Sequence, residues 1–388
     1  MFPNSFPHFC SMAVVYISIG SNLGDRIQML QKGIDDAAAA IGAIERISAV
    51  VETPALGFAG NSFLNACFSV QTTLAPKAVM DALISIEKKH GRVRSSNGYA
   101  DRTLDLDLLF YDDEVINSND LIVPHPAFHK RNFVLGPLVE IAPNKVSPTH
   151  QKTVQELLHA CSDNTKLSPI QEKLLHPIYA LLKQHAFICI EGIIGCGKTS
   201  FTRALATALN YKTLEERFAE NPFLPKFYRQ PKRFAFPLEL SFLADRFKQI
   251  NEDAEQLDMF QAGVVADYHI SKSLVFANNT LQEDEFPLFQ QLYDLMYRSA
   301  NQPSLCIFLR QTPSRAQANI KKRGRSYEQN ISLEYLSDLA QGYQNHLPFL
   351  AHHMKLVVVD VSDLDFVLYP EDMKKLLTRI NQQLAEVS

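Results

Sequence analysis

The sequence predicts two domains of unlike class, an α+β domain followed by an α/β domain, and three observations carry that expectation. At 388 residues the chain exceeds what one hydrophobic core usually supports. Its first half holds strand-like and helix-like segments separated by long excursions, the order of a sheet covered by helices. Its second half alternates short apolar runs with long helical stretches, the order of a parallel sheet wrapped by helices.

Alternating apolar residues make 13–19 a strand, which the turn Gly20-Ser21-Asn22 ends. A helix follows to about residue 41, favoured by the alanines at 37–40. Segments 47–51 and 63–72 read as strands and 76–90 as a helix; beyond a Gly/Ser/Arg-rich loop, 103–111 reads as a strand. We expect these to build a ferredoxin-like sheet with helices over one face or both. A short helix at 155–159 closes the domain, and the polar stretch 161–168 breaks the periodicity. The expected division is a leader over 1–12 (with Met12 as an alternative start), a first domain over 13–160, a linker over 161–185 and a second domain over 186–388. The segment 171–183 reads as a helix leading into that second domain, where strands are expected at 187–190, 263–266, 305–309 and 356–361.

Apolar content of 46% and charged content of 21% are ordinary for a globular protein. A net charge of −4 argues against nucleic acid as the main partner, because phosphate-backbone binding relies on a basic surface. No apolar run approaches the roughly 20 residues needed to span a bilayer, and residues 1–11 lack the basic start of a signal peptide. No membrane partner is expected. Cys10, Cys67, Cys161, Cys189, Cys196 and Cys306 show neither metal-ligand nor disulfide-framework spacing, which suits reduced thiols in a cytoplasm.

The most specific local signal is Gly192, four residues, then Gly197-Lys198-Thr199, set between the strand at 187–190 and a helix at 199–209. That is the phosphate-loop pattern. Backbone amides from Gly192, Gly195, Cys196 and Gly197 to Ser200 would turn inward around a polyphosphate at a helix N-terminus that favours anions. Lys198 would reach the β and γ phosphates, and the Thr199 hydroxyl would ligate Mg²⁺. A P-loop kinase with a parallel sheet is the expected class, with ATP as its co-substrate.

In the first half, Asp105 and Asp107 lie two apart on a strand, so both carboxylates point to one face. Carboxylates this close repel one another unless a divalent cation lies between them, and Mg²⁺ takes such ligands together with phosphate oxygens. The competing reading is an edge strand with one solvated acidic face. Arg92, Arg94, Arg102 and Arg131 flank the strand, suited to polyphosphate oxygens, and His125 follows Val123-Pro124 in a turn.

These residues carry a resemblance. From residue 13 to about 158 the chain resembles the 6-hydroxymethyl-7,8-dihydropterin pyrophosphokinases, through Ile19-Gly20-Ser21-Asn22, Glu52-Thr53-Pro54, Phe63-Leu64-Asn65, Gly91-Arg92-Val93-Arg94, the run from Asp101 to Asp107, and Val123-Pro124-His125 with Arg131-Asn132-Phe133. That family transfers the terminal pyrophosphate of ATP to the pterin hydroxymethyl group with two Mg²⁺. The resemblance implies that Asp105 and Asp107 hold both ions and that Glu87, Arg92, Arg102, His125 and Arg131 contact ATP. It also implies that Thr53, Leu56, Phe63, Asn65 and Phe133 frame the hydroxymethyldihydropterin, where rings stack on a flat heterocycle and amides bond its edge. Gly98 and Tyr99 stand where some relatives carry arginine and tryptophan, which leaves fewer contacts for closing a loop over ATP.

From about residue 187 to 366 the chain resembles the deoxynucleoside kinases. The motifs are Glu216 with Glu220-Asn221-Pro222, Phe227-Tyr228, Glu239 to Arg246, Asp267-Tyr268-His269, and the run from Lys322 to Gln329. The resemblance implies that Glu216 takes the 5′-hydroxyl proton and that Tyr228 and Glu328 grip the 3′-hydroxyl. Lys322, Arg323 and Arg325 form a basic lid over the transferring phosphoryl group. Glu239 stands where many members carry a base-binding glutamine. An ionised glutamate only accepts, and guanine offers two N–H donors on one edge, so the expected acceptor is a purine deoxynucleoside, deoxyguanosine first. Deoxyadenosine or a broad specificity is the alternative. Most relatives carry an arginine where Tyr268 stands, so Arg246 or the lid would supply that charge, with Asp267 serving Mg²⁺ through water.

The expectation is therefore a bifunctional ATP-dependent transferase, with one Mg²⁺ in the kinase site. The resemblance also implies a homodimer through the kinase domain. A half decayed into a scaffold and a nucleotide sensor that never transfers phosphate are the rival classes. A sensor needs neither a base at Glu216 nor a basic lid.

Overall fold

The structure, a computed structural model, describes residues 12–55, 60–92, 101–217, 221–255, 262–325 and 328–386. It divides into two units, Met1–Pro177 and Ile178–Ser388. The first runs β1 (Ala13–Ser21), α1 (Arg26–Ala40), β2 (Ala43–Ile47), β3 (Val51–Thr53), β4 (Phe63–Thr72), α2 (Pro76–Lys89), β5 (Asp105–Tyr111), β6 (Ile116–Asn117), β7 (Ile122–Val123), α3 (Asn132–Ile141), α4 (Val154–His159) and β8 (Ser168–Pro169). The main sheet has the order β5-β1-β4-β3-β8, with β2 also paired to β4, and its ladders are antiparallel.

Alternation along β1 sorts two cores onto opposite faces. Val15, Ile17 and Ile19 meet Leu30 and Ile34 of α1 and Val79 and Leu83 of α2. On the other face Tyr16 joins Phe110 of β5, Val134 and Leu138 of α3, and Val154 of α4. Ser18 and Gly20 continue the face of Tyr16, but there the sheet lines a cavity instead of a helix. Leu109 is an extra residue between the pairs Ile17–Leu108 and Tyr16–Phe110, so β5 bulges just past Asp107 and turns Phe110 into the second core.

Two local expectations are corrected. The strand expected at 47–51 divides into β2 and β3, because the Ser48 hydroxyl takes the Cys67 amide at 2.9 Å and interrupts the ladder. No helix forms over 171–183. Leu175 exchanges backbone bonds of 2.7 and 2.9 Å with the Gln31 side chain of α1, leaving only short 3₁₀ turns at Pro177–Tyr179 and Leu182–Gln184. A helix that was not expected also forms: α3 runs through Gly136 and Pro137. Burial of Val134, Leu135, Leu138 and Ile141 outweighs the lost backbone bond.

The second unit runs β9 (Phe187–Glu191), α5 (Lys198–Leu209), β10 (Lys212–Leu214), α6 (Leu224–Arg229), α7 (Pro231–Glu255), β11 (Val264–Ala266), α8 (Lys272–Thr280), α9 (Glu285–Tyr297), β12 (Leu305–Arg310), α10 (Pro313–Arg323), α11 (Leu333–His353), β13 (Lys355–Asp360) and α12 (Pro370–Glu386). Its sheet has the order β10-β11-β9-β12-β13 and is parallel throughout, as expected for strands alternating with helices. β10, with three residues, is too short to leave a period in the sequence. No helix among the described residues is long and apolar enough to cross a membrane.

Phe110 is fully buried and meets Phe128 edge-on at 4.9 Å, farther along the strand face that carries the aspartate pair. Phe110→Ala is expected to cost the first domain about 3–5 kcal/mol, read as a lower midpoint in urea unfolding.

Candidate active sites

The first site is built by register. β1 places Gly20 opposite Asp105 and Ser18 opposite Asp107, so two small residues leave the aspartates room on the uncovered face. On the other flank of β1, Gly20 pairs with Asn65, and a Cβ on Gly20 would stand 3.1 Å from Asn65 Oδ1. The Asn65 amide donates to Thr53 Oγ1 at 2.9 Å, which holds both in the cavity wall. Thr53, Phe63, Asn65, Arg102, Asp105, Asp107, His125, Arg131 and Phe133 line one cavity of ≈ 150 Å³.

Charge in that cavity is arranged around Asp105. Arg92 and Arg102 each donate to it at 2.6 Å. Glu87, itself buried on α2, accepts from Arg92 and from the Leu106 amide at 2.8 Å. Glu87 therefore stands behind Arg92 and fixes it to β5. Burial first, then the Asp105 charge, pushes the Asp107 carboxyl up, and Arg131 approaches it only to 3.5 Å. His125 Nδ1 accepts from the Ala127 amide at 3.2 Å, and burial lowers its pKa, so it is a neutral ring with its proton on Nε2.

The second site sits where strands β9, β10 and β11 end. Gly192 and Gly197 have φ of 144° and 96°. A Cβ on Gly192 would lie 2.5 Å from Leu309 O, and one on Gly197 would lie 2.6 Å from the Phe366 ring. Only glycine lets the loop run this close to β12 and the 366 segment. Lys198 starts α5 and donates to Gly192 O at 2.7 Å and to Ile193 O at 3.0 Å. Thr199 Oγ1 donates to Asp267 Oδ2 at 2.6 Å, and Asp267 Oδ1 accepts the Glu216 amide at 2.9 Å. One aspartate thus ties the start of α5 to Glu216, two residues past β10.

Glu216 is clamped between two cations. Arg246 reaches its Oε1 at 2.5 Å and Lys272 its Oε2 at 2.6 Å, while Arg246 also donates to Ser273 Oγ at 2.7 Å. Burial alone would raise the Glu216 pKa, but Lys272 and Arg246 together hold it far below the usual carboxylate range. Glu239 is the contrast. It is buried, one oxygen accepts from Thr280 at 3.2 Å, and Oε2 has no hydrogen-bond partner among the described residues. Burial pushes it up to about 7 against the pull of Arg246. Both glutamates line one cavity of ≈ 400 Å³ with Lys198, Thr199, Ser200, Asp267, Arg323, Arg325 and Glu328.

Two families match, one per domain. The 7,8-dihydro-6-hydroxymethylpterin-pyrophosphokinase family matches residues 16–143, and the deoxynucleoside kinase family matches residues 188–385. A deoxyguanosine kinase of Bacillus subtilis (strain 168) is 31% identical over 199 residues, 50% of this chain and 96% of its own. A 2-amino-4-hydroxy-6-hydroxymethyldihydropteridine pyrophosphokinase of Synechocystis sp. (strain ATCC 27184 / PCC 6803 / Kazusa) is 37% identical over 169 residues, 43% of this chain and 85% of its own. The chain belongs to both families. It is a fusion of a pterin pyrophosphokinase and a deoxynucleoside kinase, and ATP is the co-substrate of both kinds. A deoxyadenosine kinase of Dictyostelium discoideum is 30% identical over 196 residues, 49% of this chain and 77% of its own, so likeness alone leaves the nucleoside open.

Within the pyrophosphokinase half, Leu56, Arg94, Gly98 and Tyr99 lie outside the described residues. Within the kinase half, Tyr228 lies on α6 with its side chain outside the described set, and Gly192 and Cys196 shape the loop from behind the cavity. Glu328 is held by Arg323 and, at 3.4 Å, by Arg325, so the lid arginines meet the residue expected on the sugar. Tyr268 does not face the cavity; it is buried against Leu243 and Ile250 and donates to Gln249 at 3.1 Å. Lys272 is the residue sequence reasoning missed. It supplies a cation beside Arg246 four positions after Tyr268, a shift no local motif signals.

Lys272→Met leaves Glu216 with one cation, which raises its folded pKa. A depressed carboxylate contributes stability above its unfolded pKa and loses it as pH falls through the folded value. The variant is therefore expected to lose about 2–3 kcal/mol at neutral pH. Its kinase domain should begin acid unfolding at a higher pH than the parent, as followed by denaturant titration across pH.

Proposed function

We propose that the first domain transfers the terminal pyrophosphate of ATP to the hydroxymethyl group of 6-hydroxymethyl-7,8-dihydropterin. The second transfers the γ-phosphoryl group of ATP to the 5′-hydroxyl of a purine deoxynucleoside, deoxyguanosine in preference. For the pterin, Asn65 and Thr53 offer edge hydrogen bonds beside the rings of Phe63 and Phe133. Arg102, Arg131 and the neutral His125 would meet the phosphates of ATP, and Glu87 would hold Arg92 in position for the same task. The β5-β1-β4-β2 pairing, with α1 and α2 on one face, supports a ferredoxin-like core.

Metal fits both sites by donor chemistry. Asp107 lacks a close cation while Asp105 repels it, a set that two Mg²⁺ would relieve. Thr199 donates its only proton to Asp267, so its oxygen lone pairs remain available to one Mg²⁺. No cage of three or more acidic, histidine or cysteine side chains occurs among the described residues, in keeping with ions whose shells are completed by phosphate oxygens and water. When bound, Mg²⁺ would neutralise charge on the phosphates.

In the kinase half, Glu216 stays ionised at any working pH. Its first task is to accept a hydrogen bond from the 5′-hydroxyl and orient the oxygen for in-line attack. A carboxylate this acidic is a weak base, so it would take the proton late, as the bond to phosphorus completes. Arg246, Lys272, Lys198 and the lid arginines surround the cavity and would stabilise the charge on the transferring group. The observation that carries the nucleoside assignment is the unpartnered Oε2 of Glu239, a buried acceptor beside the cavity. Guanine presents N1–H and N2–H donors to such an oxygen pair.

A homodimer through the kinase domain belongs to the same reading. Leu288 and Leu295, seven apart on α9, leave an apolar stripe 51% and 67% exposed. The unpaired state of Cys67, Cys161, Cys189, Cys196 and Cys306 suits a cytoplasmic setting.

Asp107→Asn is expected to lower pterin pyrophosphorylation by at least about 10²-fold while leaving nucleoside phosphorylation unchanged, because only one cavity loses a metal ligand. Coupled assays on the same preparation check this, and equal loss of both activities would contradict it. Comparing kcat/KM for the four deoxynucleosides tests the acceptor. Deoxyguanosine should lead, Glu239→Gln should erode that lead by about 10–100-fold, and a pyrimidine preference would refute the assignment.

A further inference from the structure

Thr280 closes α8 with its hydroxyl 2.9 Å from the Phe276 carbonyl and 3.2 Å from Glu239 Oε1. Both neighbours are acceptors when Glu239 is ionised, yet a hydroxyl carries one proton. If that proton goes to Glu239, the carboxylate is supported. If it goes to Phe276, two lone-pair oxygens face each other at 3.2 Å, and the neutral acid is favoured instead. The two protonation states offer a base different patterns. A carboxylate presents two acceptors, which match the N1–H and N2–H of guanine. A neutral carboxyl presents one donor and one acceptor, which match N1 and N6–H of adenine.

We propose that Thr280 is a specificity-determining residue of the kinase site, whose hydroxyl, shared between Phe276 and Glu239, sets the balance between guanine and adenine acceptors. The inference rests on Glu239 being the base-binding residue. Four groups face Glu239: Arg246 on its own helix, Glu216 after β10, and Lys272 and Thr280 on α8. Arg246 and Lys272 both ion-pair with Glu216 and act on Glu239 only through space, without a hydrogen bond to it. Thr280 is the one side chain that hydrogen-bonds Glu239 among the described residues. Burial pushes the Glu239 carboxyl up to about 7, so a change in its one hydrogen-bond donor shifts its ionisation within the neutral range.

The sign follows. Ionisation with rising pH should favour deoxyguanosine over deoxyadenosine; the Thr280 hydroxyl bond to Glu239 lowers the Glu239 pKa, so removing it should delay that ionisation. The test uses the full chain and measures kcat/KM for both purine deoxynucleosides from pH 5.5 to 8.5, with pterin pyrophosphorylation as the control for intact protein. The parent's deoxyguanosine-to-deoxyadenosine ratio is expected to climb about tenfold through a midpoint near neutrality. Thr280→Val should move that midpoint upward by about half a pH unit or more, and Thr280→Ser should restore it. Thr280→Ala replaces the valine variant if the latter loses the kinase fold. A midpoint unchanged in the variants, or a pH-independent ratio that still favours deoxyguanosine, overturns the role of Thr280 and spares the reading of Glu239. A parent enzyme with no purine preference, unaltered by Glu239→Gln, overturns both.

Discussion

A carboxylate taken out of water and held by cations at a strand end is the interaction on which both sites depend. Such a group is costly to bury and tolerable only when its partners are fixed, so each site is organised to fix them. In the first domain Glu87 anchors Arg92 and Arg92 anchors Asp105. In the second, Arg246 and Lys272 close on Glu216 while Asp267 holds its amide. The same constraint explains what is left uncompensated. Asp107 is partly buried and Glu239 fully buried, both without full pairing, and the pKa of each carboxyl is pushed up. A buried acid kept short of partners is where a ligand can supply them.

The two domains reach this arrangement by different routes. The antiparallel sheet uses the two-residue period of a strand, so Asp105 and Asp107 share a face and the small Ser18 and Gly20 make room opposite. The parallel sheet uses strand ends. β9 delivers the phosphate loop, β10 leads to Glu216 and β11 to Asp267, and their common direction puts all three at one edge. Each solution follows from the class of sheet, and neither transfers to the other domain.

Much of this was legible in the chain, for stated reasons. Paired aspartates on a strand and a glycine-rich loop between strand and helix are local patterns whose geometry follows from backbone periodicity. What stayed hidden was non-local. Lys272 lies four residues beyond Tyr268, and only folding α8 against α7 brings it to Glu216. The helix at Asn132–Ile141 was hidden by its proline, and the segment around Leu175 looked helical until Gln31 claimed its backbone groups. Glu87 was expected on ATP, but nothing local shows that its carboxylate bonds Arg92 and the Leu106 amide. In each case a tertiary partner decided against, or in place of, the local signal.

The fusion puts two separate triphosphate sites on one chain, one built on acidic side chains and the other on backbone amides. Titration calorimetry of the full chain with a non-hydrolysable ATP analogue, Mg²⁺ and both acceptors measures this directly. Two analogue molecules are expected to bind per chain. A single site, saturated by either acceptor's complex, would contradict it.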